Sequence, residues 1–252
     1  MCGRYVSTKS TGDLLDEFDA EDATGESYQA DYNVAPTVTV RTVVNRPPRE
    51  EGKEYDPQAP PIRQLRLARW GLVPSWAKDL SVGSRMFNAR AESINAKPAF
   101  RTAFTKRRCL VPADGWYEWL RTTDANGKPR KQPYLMKPVD GRSLAFAGLY
   151  EFWRPKGSEQ DLLLSVTVIT VASQGDLAEI HDRMPLVLAH SDWQRWLDPT
   201  VAEPSELLIP QDESAREHLE LRPVSELVNS VKNNAPQLLD PADPIPAAQE
   251  LF

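Results

Sequence analysis

Two cysteines and three histidines in 252 residues leave little material for metal or disulfide chemistry. Cys2 and Cys109 are the only cysteines; a chain of this length needs no disulfide staple to hold a core, and a reducing compartment would disfavour one. The Cys and His positions lack metal-ligand spacing, which disfavours a structural zinc site, and no metal or organic cofactor is expected. Long apolar runs are missing as well. None approaches the roughly 18 residues that would span a bilayer, and the start, Met1-Cys2-Gly3-Arg4-Tyr5, has no signal-peptide core. The expectation is a cytoplasmic monomer with no membrane partner, nucleoid-associated if the cell is bacterial.

Net positive charge is absent too: the formal charge is -6. The average hides an asymmetry. Residues 60–137 carry 16 Lys/Arg against 5 Asp/Glu, whereas residues 200–252 carry 3 against 10. The distribution of charge, more than its sum, decides whether a phosphate backbone can dock. Charge therefore permits nucleic-acid binding here without establishing it, since a solvated basic face would look the same.

Residues 11–19 read as a short amphipathic helix with an acidic first turn. Five prolines and mixed charges in 45–61 mark a surface loop. Residues 88–104 read as helical in part, interrupted near Pro98. Beyond that the pattern turns to β: 108–120, 134–137, 144–152 and 162–172 carry β-branched and aromatic residues at strand lengths. Asp124-Ala-Asn-Gly-Lys and Arg154-Pro-Lys-Gly-Ser supply hairpin connections. Residues 185–189 suit a further strand, 192–197 start a helix capped by Ser191 or Asp192, and 214–228 are helix-like in part. From 232 the chain is rich in proline and alanine and reads as a mobile tail. The sum is one α+β domain over 1–231, with a curved, mainly antiparallel β-sheet and short flanking helices. A βαβ alternation is missing, which disfavours Rossmann and TIM architectures.

Cys2 is the most informative residue because of its position. Removal of Met1 would expose an N-terminal cysteine, which carries an amine and a thiol on adjacent carbons. An α-amine has a pKa of about 8, so a useful fraction is neutral near pH 7, unlike a lysine at about 10.4. A neutral amine attacks an aldehyde to give a Schiff base, and the thiol then closes on the imine carbon as a five-membered thiazolidine. Proximity favours that closure. Gly3 allows close approach to the backbone, and Arg4 can clamp a phosphate. Met86-Phe-Asn-Ala-Arg-Ala-Glu92 and His181-Asp-Arg-Met-Pro185 each place a hydrogen-bonding or acid/base group two residues from an arginine. These residues also have plain structural readings. Asn88 suits a helix cap, Glu118 a solvent-facing strand position, His181 a satisfied loop histidine, and the arginines ordinary surface charge. Cys109, in an apolar run, reads as core.

Six ordered motifs resemble the SRAP family, the SOS-response-associated peptidases, which crosslink abasic DNA. They are Met1-Cys-Gly-Arg4, Tyr32-Asn-Val-Ala-Pro-Thr37, Arg69-Trp-Gly-Leu-Val-Pro-Ser-Trp76, Phe87-Asn-Ala-Arg-Ala-Glu92, Arg108-Cys-Leu-Val-Pro-Ala-Asp-Gly-Trp-Tyr-Glu-Trp119 and His181-Asp-Arg-Met-Pro185. The resemblance runs from residue 2 to about 230. The loop at 45–61 and the tail lie outside it.

It implies that Cys2 is the nucleophile toward a ring-opened sugar and that Asn88 holds the amine or the sugar. Glu118, its pKa raised by partial burial, and His181 would transfer protons, His181 to the sugar ring oxygen as it opens. Arg4, Arg90 and Arg183 would contact phosphates beside the lesion. Trp70 would wedge near the lesion, and Trp119 is among the aromatics suited to stack on bases. The partner implied is single-stranded DNA containing abasic sites, with slow reversal of the crosslink and lyase behaviour as accompanying activities. Two other readings stand beside it. One is a cysteine peptidase using Cys2 and His181; the other is a non-catalytic reader of single-stranded or modified DNA.

Overall fold

The turns fall where the chain can make them, and the strands between them close on one another. The computed structural model describes residues 2–48, 52, 56–124, 126–158, 162–201, 204–209 and 218–245. In chain order the first elements are β1 (Tyr5–Ser7), α1 (Thr11–Phe18), β2 (Glu21–Asp22), β3 (Asp31–Val34), β4 (Thr39–Arg46), β5 (Ile62–Trp70), β6 (Asn88–Arg90) and α2 (Pro98–Lys106). Then follow β7 (Arg108–Ala113), β8 (Gly115–Thr123), β9 (Pro129–Pro138), β10 (Leu144–Trp153), β11 (Leu163–Ala172), α3 (Asp176–Ile180), β12 (Arg183–Pro185), α4 (His190–Leu197) and β13 (Leu219–Pro223). No helix among the described residues is long and apolar enough to cross a membrane.

Five strands form a ring. β4 pairs with β5, β5 runs parallel to β11, β11 pairs with β10, β10 with β7, and β7 returns to β4. Closure removes the edges that an open sheet would present. Such a small barrel must be filled by side chains, and Val43, Leu65, Cys109, Phe146 and Val166 are all buried in one cluster. Cys109 is thus a core residue. Gly148 is required there, because a Cβ at that position would lie 2.9 Å from the Cys109 sulfur.

A second, wholly antiparallel sheet has the order β13-β9-β8-β1-β3. β1 lies against β8 with Tyr5 opposite Trp116. The Tyr117 amide donates to the Arg4 carbonyl at 2.9 Å, so the N-terminal residues run alongside the strand that carries Glu118. On the barrel side, β11 takes β6 alongside it in parallel, Asn88 opposite Val168, while β12 pairs antiparallel with its last residues. The α3–β12 connection holds His181. Residues from four distant parts of the chain therefore meet where the two sheets face each other.

Several local expectations need correction. Helix α1 is present, with Ser10 and Asp13 forming a capping box; in 88–104 a strand comes first, a single 3-10 turn follows over Ala91–Ser93, and the α-helix starts only at Pro98. Pro98 begins α2 because a proline at the first turn loses no hydrogen bond. Asn88 lies in a strand and caps no helix. Helix α4 begins at His190, with Ala189 as its N-cap instead of Ser191 or Asp192. Within 214–228, residues 219–223 form a strand and only the end is helical, as a 3-10 turn over Glu226–Asn229; 210–217 fall outside the described residues.

The tail expectation fails for 232–245. Leu238 is buried with Val6, Tyr117 and Val228. The Asn33 side-chain amide donates to the carbonyls of Ser230 (3.0 Å) and Asn233 (2.8 Å), and the Ile245 amide donates to Gln132 Oε1 at 2.8 Å. A few well-placed side chains hold this segment although its average composition is poor in apolar residues; residues 246–252 lie outside the described residues.

Candidate active site

Cys2 is fully buried in the chain that carries Met1. Its carbonyl accepts a 2.6 Å hydrogen bond from Asn88 Nδ2, which fixes the residue against β6. The other end of that amide, Asn88 Oδ1, is buried and has no hydrogen-bond partner. An acceptor therefore stands unused beside the first residues of the chain, at a real desolvation cost. Burial pushes the Cys2 thiol well above its ordinary range, and the negative charge of Glu118 adds to the effect.

Glu118 is only 3 % exposed. Desolvation raises its carboxyl to about 7, against the opposing pull of the chain's positive N-terminus. A carboxyl at that value is divided between acid and base near neutral pH, which suits proton transfer in either direction. His181 Nε2 lies 3.9 Å from Glu118 Oε2. On the ring's other side, Nδ1 meets both the Arg183 amide at 3.0 Å and Asp182 Oδ1 at 3.1 Å. The amide serves a neutral ring and the carboxylate serves a charged one, so both protonation states have a partner. Desolvation, followed by the positive N-terminus, holds the His181 pKa below its usual value.

Glu118 and His181 open into a cavity of about 410 Å³, whose other lining residues are Trp119, Arg121, Lys131 and Asn229. Among the described residues, no group of three or more His, Cys, Asp and Glu side chains is placed to hold a metal ion. Chemically the arrangement provides a buried thiol, two groups able to move protons, an idle amide acceptor and a cationic rim.

The whole-chain pattern matches a family model described as SOS response associated peptidase (SRAP), over residues 1–231. The chain belongs to the SRAP family. Among its relatives, the abasic site processing protein YoaM of Bacillus subtilis is 39% identical over 245 residues, covering 95% of this chain and 98% of that one. The mouse abasic site processing protein HMCES is 32% identical over 250 residues, covering 86% of this chain and 67% of that one. A crystal structure of a Bacteroides thetaiotaomicron protein superposes with a TM-score of 0.76 at 21% identity, covering 96% of this chain and all of that one; this likeness concerns the fold.

Within this SRAP chain the residues expected to meet DNA divide by environment. Arg90 is exposed beside Asn88. Arg4 is partly buried and held: its Nη1 donates to Asn33 Oδ1 at 2.7 Å and to the Val228 carbonyl at 2.8 Å, with the guanidinium 5.7 Å from the Trp119 ring. Arg183 makes a fork to Glu92, at 2.6 and 3.0 Å, and bonds the Thr170 carbonyl. A phosphate would have to compete with Glu92 for that fork. Trp119 is partly buried on the cavity wall and is steadied by its indole N–H donating to Asn229 Oδ1 at 2.6 Å.

Trp70 is a correction. It is fully buried, meets Tyr5 and Phe87 edge-on, and donates its indole N–H to the Phe87 carbonyl at 2.9 Å. No base can stack on it. The exposed tryptophan of the same motif is Trp76, at 59 % exposure, which the sequence leaves undecided because both lie among small and apolar neighbours. Trp116 is also core. Trp70→Ala is expected to cost about 3–5 kcal/mol of folding stability, read from chemical denaturation; a loss below about 1 kcal/mol would contradict the packing role. Asn229, Arg121 and Lys131 carry no motif signal, and only the fold brings them to the cavity.

Proposed function

We propose that this protein processes abasic sites in single-stranded DNA by forming a covalent thiazolidine with the lesion's aldehyde through Cys2, after Met1 has been removed. The observation that carries the reading is the placement of Glu118, titrating near neutrality, between the start of the chain and His181. The family's named relatives, abasic site processing proteins, support the substrate class.

The steps follow from the groups available. His181 protonates the ring oxygen of the abasic sugar as its bond to C1 breaks, and the C1 hydroxyl gives its proton to Glu118, which leaves the aldehyde and a protonated Glu118. The neutral α-amine of Cys2 adds to the aldehyde carbon, and Glu118 supplies a proton to the departing hydroxyl, so one water leaves and an imine forms. The thiol then adds across the C=N bond. Its proton passes to Glu118 and on to the nitrogen, leaving a C–S bond and a secondary amine. The net change is loss of one water. Asn88, already holding the Cys2 carbonyl, offers its idle Oδ1 to the amine. Arg4 and Arg90 take flanking phosphates, Arg183 does so in competition with Glu92, and Trp119 offers a face to a neighbouring base.

A thiol held protonated by burial is poorly suited to a cysteine peptidase, whose nucleophile is the thiolate. In thiazolidine closure the thiol reacts at short range with an activated carbon and surrenders its proton during the step, so a high resting pKa is tolerated.

The test mixes protein shown by mass spectrometry to lack Met1 with an oligonucleotide bearing one abasic site, beside a form with an N-terminal extension. A heat-stable shifted band on a denaturing gel, from the native protein alone, is the expected result. Normal retardation on a native gel with no covalent band would overturn the reading in favour of a non-catalytic DNA reader.

A further inference from the structure

On the rim of the Glu118–His181 cavity, Arg121 of β8 stands directly opposite Lys131 of β9, with Trp119 two residues along the same face opposite Pro133. Like charges directly opposed across an antiparallel pair destabilise a sheet. Both side chains are exposed, and among the described residues neither makes an ion pair or a hydrogen bond with a carboxylate. Two neighbouring cations of the same sheet do have carboxylate partners: Arg130 pairs with Glu226 and Arg222 with Glu220. Folding alone does not explain two unmatched cations placed face to face beside an acid/base pair. An anion shared between them would turn the repulsion into a binding site.

We infer that Arg121 and Lys131 form a seat for one phosphate group of the DNA strand, with Trp119 stacking on the adjoining base, so that the strand leaves the lesion pocket along the β8–β9 hairpin. The inference rests on the reading that this cavity receives DNA. The strip has the composition that single-strand recognition needs, a cationic track beside an aromatic platform. Arg121 lines the same cavity as His181, and its charge is a minor contributor, after desolvation and the positive N-terminus, to the lowering of the His181 pKa. A phosphate neutralising Arg121 would relieve that effect and help His181 to hold the proton it delivers, which makes Arg121 a positioning residue for His181.

The experiment uses the full chain with Arg121→Gln and Lys131→Gln combined. Its thermal midpoint is expected to equal or exceed that of the parent, because a repulsion is removed. Affinity for an undamaged single-stranded oligonucleotide should fall roughly tenfold at low salt, and the slope of log affinity against log salt should shrink by about 0.7 for one lost phosphate contact. With abasic substrate the half-saturating DNA concentration should rise by a similar factor. Arg121→Gln alone should raise the His181 pKa measured by NMR in the free protein. Oligonucleotides with the lesion inside the strand, or next to a terminal phosphate, distinguish a phosphodiester from a phosphomonoester as the seated group. Unchanged affinity and salt slope in the double variant would overturn the seat, whatever the adduct yield. Absence of adduct from the parent, with weakened binding in the double variant, would instead overturn the covalent reading and leave the seat standing.

Discussion

Cys2→Ser is expected to lose the heat-stable adduct with abasic DNA while keeping an imine that borohydride can trap. The substitution leaves the α-amine in place and removes only the sulfur. The amine still condenses with the aldehyde, but a hydroxyl closes on the imine carbon far less readily than a thiol, and the open imine hydrolyses on heating. The advantage lost is that of an intramolecular trap, where positioned partners gain many powers of ten over free ones. A fall in stable adduct of about 100-fold or more is expected on a denaturing gel, with the band recovered when reductant is present during the reaction. Cys2→Ala should behave alike. An N-terminal extension should abolish both bands, because no α-amine remains at residue 2. If Cys2→Ser kept a heat-stable band without reductant, the bond would not be a thiazolidine and another nucleophile would have to be sought. Cys2 is buried, so folding of each variant should be checked by its thermal midpoint.

Glu118→Gln is expected to make the protein more stable and less active at the same time. The folded-state carboxyl, raised by desolvation to about 7, lies above the ordinary value near 4.5 that the unfolded chain retains. Below pH 4.5 both states hold the proton and the carboxyl contributes no difference. Between 4.5 and 7 the unfolded chain releases a proton that the folded chain keeps, so stability falls as pH rises, and above 7 the full penalty of a buried charge is present. Glutamine keeps the shape without the charge. The variant should therefore gain about 1–3 kcal/mol at pH 8, seen as a midpoint higher by several degrees, and should show almost no gain at pH 4. Its adduct formation should slow by about 10²–10⁴, and the remaining rate should lose the pH dependence set near 7. Equal stability of the two proteins at pH 8 would show that the charge is already compensated in the fold and would remove the basis for assigning Glu118 the proton transfers.

These expectations draw on residues that differ in how far the sequence reveals them. Cys2 is legible because position after Met1 is itself chemical information: only there can one residue offer both amine and thiol. Glu118 and His181 are legible through motif context, but their ionisation is not, because desolvation depends on what packs over a side chain. Strands β7 to β11 show in their β-branched and aromatic runs, whereas β3 and β6 do not. β6 has only three residues, and β11 organises it from 80 positions away, so its local propensity says little. Trp70 and Trp76 lie six residues apart in one motif, yet one is core and the other exposed, since the strand end at Trp70 turns at Gly71. Gly71 has a φ of +130° and lies close against the backbone of Gly83, where a Cβ would not fit.

By itself the sequence determined the inventory of reactive groups, the SRAP pattern and the β-rich α+β architecture, because these depend on residue identity, order and short-range periodicity. Only the tertiary structure decided that Cys2 is buried, that Asn88 holds its carbonyl, that Trp70 is unavailable to a base and that Arg121 and Lys131 face each other unmatched. Those outcomes depend on burial and cross-strand register. Both arise from contacts between residues far apart in the chain, which no local pattern records.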